Sequence, residues 1–296
     1  MIRIILNGKK ASYDSVRSAI STLREEVEGV EVRVTYEYGD MEHFVNEAIT
    51  DGIKRLVVGG GDGSVNEIVD AMAKLPREQR PELAILPLGT ANDFASACKI
   101  PIDSLEALRL AVSGKTTSID IAKANDRHFV NIATGGFGAK VTAETPVALK
   151  NFLGGGAYTL TGLIKALNFT PYTAKVKTPE FESEESSVLA AICNGKQAGG
   201  GQVLAPEAFI NDGLLDVLII KEVLGADIAQ FLDEVKNPTQ DGRYIKYFKT
   251  PWIESESEEI IPVNLDGEPY ENKKIRFEIV PAAIDLVLPS DCPCLK

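Results

Sequence analysis

The stretch that decides the fold of the first half of the chain is Leu56-Val57-Val58-Gly59-Gly60-Gly61-Asp62-Gly63-Ser64-Val65-Asn66-Glu67-Ile68-Val69. An apolar, β-branched run ends in glycines and passes into helix-compatible sequence, which predicts a strand, a tight turn and a helix start. Glycines let an anion approach the backbone, and the first helical turn offers unpaired N–H groups at the positive end of the helix dipole. The turn therefore suits a phosphate, although any α/β protein also needs glycines between strand and helix.

Asp62 gives this turn a more specific character. A carboxylate beside a bound phosphate repels it unless a metal ion or a polar group of the ligand lies between them. The residue therefore indicates metal-assisted nucleotide chemistry.

Strands and helices alternate throughout the first part of the chain. Hydrophobic spacing predicts strands over residues 3–6, 30–36 and 56–58 and from Leu83 onward, with helices over 13–28, 41–51, 64–74 and 102–113. This alternation favours a parallel sheet covered on both faces, with ligands bound beyond the carboxyl ends of its strands. A second polar loop, Pro87–Ala95, is expected beside the first, where Thr90, Asn92 and Asp93 serve either as helix caps or as ligand contacts.

From about residue 118 the apolar segments become short and strand-like, which is typical of an antiparallel sandwich or barrel. Two helical interruptions are predicted, over 160–169 and 226–235. The acidic stretches 180–187 and 254–259 are predicted to be solvated hairpin loops. We place the domain junction near residue 120, with an α/β domain over 1–120 and an all-β sandwich over 121–296 whose last residues could return to the first domain. The predicted strands are 119–122, 129–133, 174–177, 188–193, 215–220, 260–265, 275–279 and 284–288.

Composition limits the functional classes. The chain has 296 residues, of which 44% are hydrophobic and 25% charged, and its formal net charge is -12. This acidic balance argues against a nucleic-acid partner and against electrostatic adsorption to an anionic membrane. No signal-peptide core and no transmembrane segment is recognisable in the sequence, so we expect a cytoplasmic protein.

The cysteines and histidines give weak signals. Of Cys98, Cys193, Cys292 and Cys294 only the last two are close in sequence, and no C-x-x-C pair or nearby histidine completes a tetrahedral zinc set. We therefore expect reduced thiols. His43 and His128 lack a Ser or Cys partner motif and are expected at the surface or in packing roles.

Polar loops also interrupt the second half. Asn194–Gly201 is rich in glycine, and the pairs Asp212-Gly213 and Asp266-Gly267 are typical of β-turns. Glu268 follows the last of these, where a hairpin could aim its carboxylate across a cleft to remove a proton from a hydroxyl. Spacing alone does not show that Asp62, Asp212 and Glu268 converge.

Several motifs occur in a fixed order along the whole chain. They resemble the catalytic family of diacylglycerol kinases, and specifically the bacterial YegS-like lipid kinases. The resemblance implies an ATP-dependent lipid kinase with an N-terminal Rossmann-like α/β nucleotide domain, a C-terminal antiparallel β-sandwich and an active site in the cleft between them. The motifs are Gly60–Glu67, Pro87–Ala95, Thr134–Gly138, Asn211–Asp216 and Asp266–Glu268.

The resemblance also implies roles for individual residues. Asp62 would be the essential acidic residue of the glycine-rich motif, and Glu268 would accept the proton of the lipid hydroxyl as it attacks the γ-phosphate. Ser64 stands where the family commonly has Thr, which keeps a hydroxyl. The residues that would contact ATP are Thr35, Gly60, Gly61, Asp62, Gly63, Ser64, Val65, Asn66 and Thr90.

A metal site in the sandwich domain is implied in the same way. Asp212, with the main-chain carbonyls of Phe209 and Leu214, would hold Mg²⁺, with Ca²⁺ as an alternative. Phe209 departs from the family pattern, which is tolerable because only its backbone would be used. Asp120 would be a supporting partner of this chemistry.

The implied acceptor is a glycerolipid at the membrane surface, either phosphatidylglycerol or diacylglycerol, reached by peripheral visits to the inner membrane. The apolar segments 147–158 and 160–169 would gate an acyl pocket or touch the bilayer, or else form a helix packed on the sandwich. Two alternatives stay open, an NAD kinase and a non-catalytic nucleotide- or lipid-binding protein. The oligomeric state is not predicted.

Overall fold

The computed structural model describes residues 1–136, 171–222 and 227–296, and the elements are numbered within these ranges. The helices are α1 (Asp14–Glu26), α2 (Asp40–Thr50), α3 (Asp62–Ala73), α4 (Asp93–Ala97), α5 (Ser104–Ser113) and α6 (Ile228–Lys236), with a 3₁₀ turn at Arg77–Gln79. The strands are β1 (Ile2–Asn7), β2 (Val30–Thr35), β3 (Arg55–Gly60), β4 (Glu82–Pro87), β5 (Thr116–Ala124), β6 (Arg127–Phe129), β7 (Ile132–Gly136), β8 (Tyr172–Lys177), β9 (Glu182–Ser187), β10 (Leu189–Cys193), β11 (Gln197–Ala198), β12 (Gln202–Val203), β13 (Leu215–Ile220), β14 (Ile245–Thr250), β15 (Trp252–Leu265) and β16 (Glu268–Val287).

The N-terminal domain is built on a parallel sheet with the strand order β4-β3-β1-β2. Successive side chains of a strand point to opposite faces, so neighbouring residues enter different cores. Ile5 and Val58 belong to a core shared with α2 and α3, whereas Ile4 and Val57 belong to one shared with α1 and α5. The predicted sheet covered on both faces is therefore confirmed.

The C-terminal domain is antiparallel, with the strand order β14-β13-β10-β7-β15-β16. Its core contains Phe129, Ile192, Val217, Val263 and Phe277, which lie on alternating positions of their strands. The predicted fold class, an α/β domain followed by an antiparallel β-sandwich, is confirmed.

The two domains share one continuous sheet. β16 pairs antiparallel with β15 and with β5, and it meets β4 in parallel where Leu286 lies opposite Leu83. The two predicted strands 275–279 and 284–288 are therefore parts of this one strand, which is irregular between Val280 and Ile284. The end of the chain thus lies against the first domain, while the boundary near residue 120 stays a prediction.

The two acidic stretches were predicted wrongly as loops. Residues 182–187 form β9 and pair with β8, so that Glu184 faces Lys175 and Glu182 faces Lys177. Glu185 is buried between Lys221 and Lys246, whose ammonium groups neutralise its carboxylate. Composition alone had suggested that this carboxylate must be solvated.

The second acidic stretch, residues 254–259, lies within β15. Lys274 on the neighbouring strand pairs with Glu254 at 2.8 Å and with Glu256 at 3.1 Å. The prediction of one strand over 129–133 is also corrected, because β6 ends at Phe129 and β7 begins at Ile132.

Some predictions lie outside the described residues. These are the segments 147–158 and 160–169 and the end of the Thr134–Gly138 motif. Within the part of the chain that is described, none of the helices combines the length and the apolar character needed to cross a bilayer.

Candidate active site

The glycine-rich turn lies between β3 and α3. Gly61 is the N-cap of α3 in an extended conformation, and no side chain of the described residues caps the helix. A methyl group on Gly60 would lie 2.3 Å from Ser64 Oγ, so only glycine fits there. The first turn of α3 is therefore left with uncapped amides, the arrangement that binds anions.

The second loop packs directly against the first. A methyl group on Gly89 would lie 2.5 Å from the Cα atom of Gly61, which requires glycine at this crossing. Asn92, in the left-handed conformation with φ 52°, closes the second loop on itself by accepting from the Gly89 amide at 2.7 Å and donating to the Gly89 carbonyl at 3.0 Å. Asp62 Oδ1 accepts from the Phe94 amide at 3.1 Å, which fixes the two loops to each other.

A hairpin of the second domain lies over this turn. Asp266 and Gly267, with φ of 49° and 102°, connect β15 to β16, as expected for a two-residue Asp-Gly turn. Glu268 begins β16 and is exposed. A methyl group on Gly63 would lie 4.0 Å from Glu268 Oε1, so the predicted proton acceptor stands beside the first turn of α3.

Asp266 anchors this hairpin. Its carboxylate accepts hydrogen bonds from the amides of Val130 at 2.7 Å, Asn131 at 3.1 Å and Ile132 at 2.7 Å. Burial raises the pKa of Asp266 to about 6, against the lowering effect of these amides, and the carboxylate of Asp62 contributes to the rise. Sequence analysis assigned Asp266 only to a turn and missed this anchoring function.

Negative charge accumulates around the turn. Burial raises the pKa of Glu67, and the carboxylates of Glu268 and Asp40 raise it further. Together with the effect of Asp62 on Asp266, this shows that acidic groups of both domains repel one another here. A cation at this place would relieve that repulsion.

The remaining residues of the predicted nucleotide site differ in what they can offer. Val65 and Asn66 are buried, and the Val65 amide already donates to the Gly61 carbonyl at 3.1 Å. Thr35 ends β2 with its hydroxyl 3.5 Å from the Leu6 carbonyl, and Thr90 is exposed in the second loop. The exposed residues of the predicted set are therefore Gly63 and Thr90, whereas Ser64 is buried together with Val65 and Asn66.

The predicted metal residues lie at another turn of the second domain. Asp212 Oδ1 accepts from the Leu214 amide at 3.2 Å, while Oδ2 is 3.3 Å from Lys249 Nζ. Lys249 also lies 3.1 Å from Asp216 and 5.5 Å from the centre of the Phe209 ring. The oxygen donors suit a hard cation, but the lysine ammonium already neutralises Asp212.

Asp120 braces this turn from the neighbouring strand β5. Its carboxylate accepts from the amides of Gly213 at 2.7 Å and Ala282 at 2.8 Å, and its own amide donates to the Ile210 carbonyl at 2.6 Å. Asp120 is buried and has no direct access to a ligand. Its contacts are those of a residue that shapes the Asp212 turn.

Asp93 joins the two domains, which sequence analysis missed. Its carboxylate accepts from the amides of Gly200 at 2.9 Å and Gly201 at 2.6 Å, and its carbonyl accepts from Gln197 Nε2 at 3.2 Å. Both glycines have positive φ. The glycine-rich character of residues 194–201 was the available signal, but nothing in the spacing connected it with Asp93.

Comparisons with known proteins agree with this arrangement. The family model described as the diacylglycerol kinase catalytic domain matches residues 1–124, and the one described as the YegS C-terminal NAD kinase beta sandwich-like domain matches residues 131–288. A "Probable lipid kinase YegS-like" of Shewanella frigidimarina is 50% identical over 295 residues, 99% of this chain and 96% of the relative. One of Chromohalobacter salexigens is 45% identical over 294 residues, 99% of this chain and 94% of the relative.

Solved structures give the same result. A crystal structure of a candidate diacylglycerol kinase of Bacillus anthracis matches with a TM-score of 0.80 and 26% identity, covering 98% of this chain and 96% of that one. The fold and the site define a two-domain kinase of the diacylglycerol kinase class. Within that class, the chain belongs to the family of YegS-like lipid kinases.

Proposed function

We propose that this lipid kinase transfers the γ-phosphate of ATP, in the presence of Mg²⁺, to a hydroxyl of a glycerolipid, either diacylglycerol or phosphatidylglycerol. The observation that carries the proposal is the position of Glu268 of the second domain, whose Oε1 lies 4.0 Å from where a methyl group on Gly63 would be. A candidate base thus lies beside a candidate phosphate site, which is the spatial relation that phosphoryl transfer needs.

The phosphates would be held by the first turn of α3. The uncapped amides after Gly61 point to an anion, and the Gly61–Gly89 crossing keeps the second loop close enough to contribute Thr90. Thr35 ends a strand at the same edge of the sheet and would contact the nucleotide. All these groups lie at the carboxyl ends of parallel strands, where open α/β sheets bind their ligands.

Asp62 is the residue that would hold the metal accompanying ATP. One of its oxygens is fixed by the Phe94 amide at 3.1 Å, and the acidic groups around the turn already repel one another. The donor chemistry therefore fits Mg²⁺, which prefers carboxylate and phosphate oxygens. When bound, the ion would neutralise charge on the phosphates.

Glu268 would accept the proton of the lipid hydroxyl. It is exposed, so an acceptor can reach it, and the turn before it is fixed by the three amides that bind Asp266. A fixed base contributes about 10²–10⁴-fold to proton transfer. Because the hairpin belongs to the second domain, the lipid would enter from that side.

For Asp212 we propose a second cation site with the carbonyls of Phe209 and Leu214, as the family resemblance implies. Here the ammonium of Lys249 must first release Asp212. The variant Lys249→Gln is therefore expected to tighten Mg²⁺ or Ca²⁺ binding to the protein, measured by calorimetry without nucleotide. Unchanged cation binding in this variant would remove Asp212 from the proposal.

The activity is tested by offering ATP with Mg²⁺ to diacylglycerol, phosphatidylglycerol and NAD in parallel, followed by separation of the labelled products. Label in either lipid supports the proposal. Label in NAD alone would favour an NAD kinase. This alternative is included because the matching C-terminal family model is described as NAD kinase beta sandwich-like. No transfer to any acceptor would favour a binding protein without turnover.

Two variants test the assigned roles. Glu268→Gln removes the base and is expected to lower kcat by about 10²–10⁴-fold, and Asp62→Asn is expected to lower it by at least about 10²-fold. Glu271→Gln is the matched control, because Glu271 is an exposed acidic residue on the same strand. If Glu268→Gln retains the turnover of the wild type, another group accepts the proton.

Membrane contact is part of the proposal and has its own measurement. A peripheral kinase is expected to float with vesicles that contain its lipid substrate and to stay behind with vesicles that lack it. Flotation with neither vesicle would show that the acceptor is taken up without a membrane visit, and flotation with both would show that membrane contact does not depend on the substrate.

A further inference from the structure

Three of the four cysteines come together where the end of α4 meets the C-terminal tail. Cys98 is the residue after α4, and Cys292 and Cys294 lie in the tail that follows β16. Their Sγ atoms all lie within 4.8 Å of one another. Among the described residues, this is the only group of three or more His, Cys, Asp and Glu side chains with ligand atoms so close together.

We propose that Cys98, Cys292 and Cys294 form a binding site for a soft, thiolate-preferring metal ion, with Zn²⁺ as the ion to test. Around tetrahedral zinc, with Zn–S bonds of about 2.3 Å, the sulfur atoms are about 3.8 Å apart. The three sulfur atoms therefore need to approach one another by about an ångström or less. Three converging donors are what a metal ion uses, whereas a disulfide uses two.

The local structure holds the donors in place. All three residues are buried, with exposed fractions of 0%, 8% and 1% in sequence order. Lys99, next to Cys98, pairs with Asp291, next to Cys292, at 2.9 Å. This ion pair aligns the two chain segments without occupying the sulfur atoms.

Metal binding has a defined proton balance. Each thiol that becomes a ligand loses its S–H proton to solvent. In the metal-free protein the Cys294 thiol donates to the Ala97 carbonyl at 3.2 Å, so this hydrogen bond would be exchanged for a metal–sulfur bond. A fourth position would be taken by water or by a small ligand that enters beside Cys292, the most exposed of the three.

The position of the cluster gives it a structural consequence. Cys98 follows the helix that carries Asp93. In the tail, the main-chain carbonyl of Cys294 accepts from the Ile210 amide at 2.9 Å, and the Lys296 amide donates to Asn211 Oδ1 at 2.8 Å. A metal ion here would therefore tie the second loop to the tail and, through the tail, to the segment that precedes Asp212. We expect Zn²⁺ to raise the melting temperature of the protein.

The test measures metal binding by the reduced, full-length protein. Cd²⁺ reports thiolate ligands by its ultraviolet charge-transfer absorption, and Zn²⁺ is measured by competition with a chromophoric chelator. One equivalent per chain is expected, with thiolate absorption. Cys98→Ala, Cys292→Ala and Cys294→Ala should each weaken binding at least about 100-fold, while Cys193→Ala, the matched buried control in β10, should not.

A second measurement needs no variant. Saturating Zn²⁺ should slow the alkylation of Cys292 in the native wild-type protein, measured by mass spectrometry, and leave that of Cys193 unchanged. The proposal is wrong if the fully reduced wild type shows neither thiolate absorption nor protection, or if removing Cys193 costs as much binding as removing one of the three. The three thiols would then serve only to pack α4 against the tail.

Discussion

Gly63→Ala separates the folding role of the glycine-rich turn from its proposed role in phosphate binding. Gly63 is the second residue of α3, and a methyl group there would meet only Glu268 Oε1, at the ordinary van der Waals distance of 4.0 Å. Alanine therefore fits without strain and should stabilise the protein by about 0.5 kcal/mol, because it has less conformational freedom to lose than glycine. For a chain of this length, the melting temperature should rise by about 1–2 °C.

The same methyl group should impair the use of ATP. It would stand over the first turn of α3, where the proposed phosphate accepts hydrogen bonds from uncapped amides. Losing one hydrogen bond to a charged group costs about 1.5–3 kcal/mol, which corresponds to about 10- to 150-fold in kcat/KM for ATP. The expected variant is therefore more stable and less active than the wild type.

Thermal unfolding and initial rates at varied ATP concentration measure the two effects. Gly89→Ala is the comparison, because its methyl group would lie 2.5 Å from the Cα atom of Gly61 and must displace backbone. That variant should lose both stability and activity. If Gly63→Ala is folded and keeps the wild-type kcat/KM for ATP, the phosphates do not bind at this turn and the reasoning fails.

Three further predictions concern charged groups with hydrogen-bonded or ion-paired partners. Burial alone would raise the pKa of Asp70, but His128 and Lys74 lower it to about 2, so Asp70→Asn should cost about 2 kcal/mol at neutral pH in urea unfolding, a difference that shrinks as the pH falls from about 4 towards 2. Burial raises the pKa of Asp266 to about 6, so the folded protein binds a proton more readily than the unfolded chain does. The unfolding free energy of the wild type should therefore rise by up to about 3 kcal/mol as the pH falls from about 6 to 4, and Asp266→Asn should lack this rise in the same measurement. Arg3 is buried with Glu31 at 2.6 Å, so Arg3→Met should cost about 2 kcal/mol of unfolding free energy. Unchanged stability in Asp70→Asn or Arg3→Met, or a parallel pH profile for Asp266→Asn, would contradict the respective assignment.

The strand and helix pattern was accessible from the sequence because local spacing determines it. The apolar runs around Ile4 and Val57 and the helical spacing of α1 are local, and the structure confirms the elements they predict. Local composition failed at β9 and in β15, where the compensating lysines lie on other strands. The acidic residues were therefore misread as solvated because strand pairing, which local composition does not reveal, supplies their partners, as for Lys246 and Glu185, which are 61 positions apart.

The candidate site likewise has some features that the local sequence reveals and others that depend on contacts between distant segments. Gly60, Gly89 and the Asp266-Gly267 turn carry backbone requirements that sequence reveals directly. By contrast, the bond of Asp93 to the amides of residues 200 and 201 joins segments more than 100 positions apart, and the pairing of Lys249 with Asp212 joins β14 to the turn that precedes β13. Neither can be predicted without knowing which strands are neighbours. The convergence of Cys98 with the two tail cysteines has the same origin.

The position of the proposed base relative to the phosphate turn follows from one strand. Glu268 is the first residue of β16, and Leu286 near its end pairs with β4, which is the neighbour of the strand that leads into the turn. The irregularity in β16 between these points is where Asp120 binds the Ala282 amide, and the other oxygen of Asp120 binds Gly213. Because the base, the phosphate turn and the Asp212 turn are all joined through this strand and Asp120, their relative positions are set by sheet geometry. The described structure therefore has the proposed base beside the proposed phosphate turn.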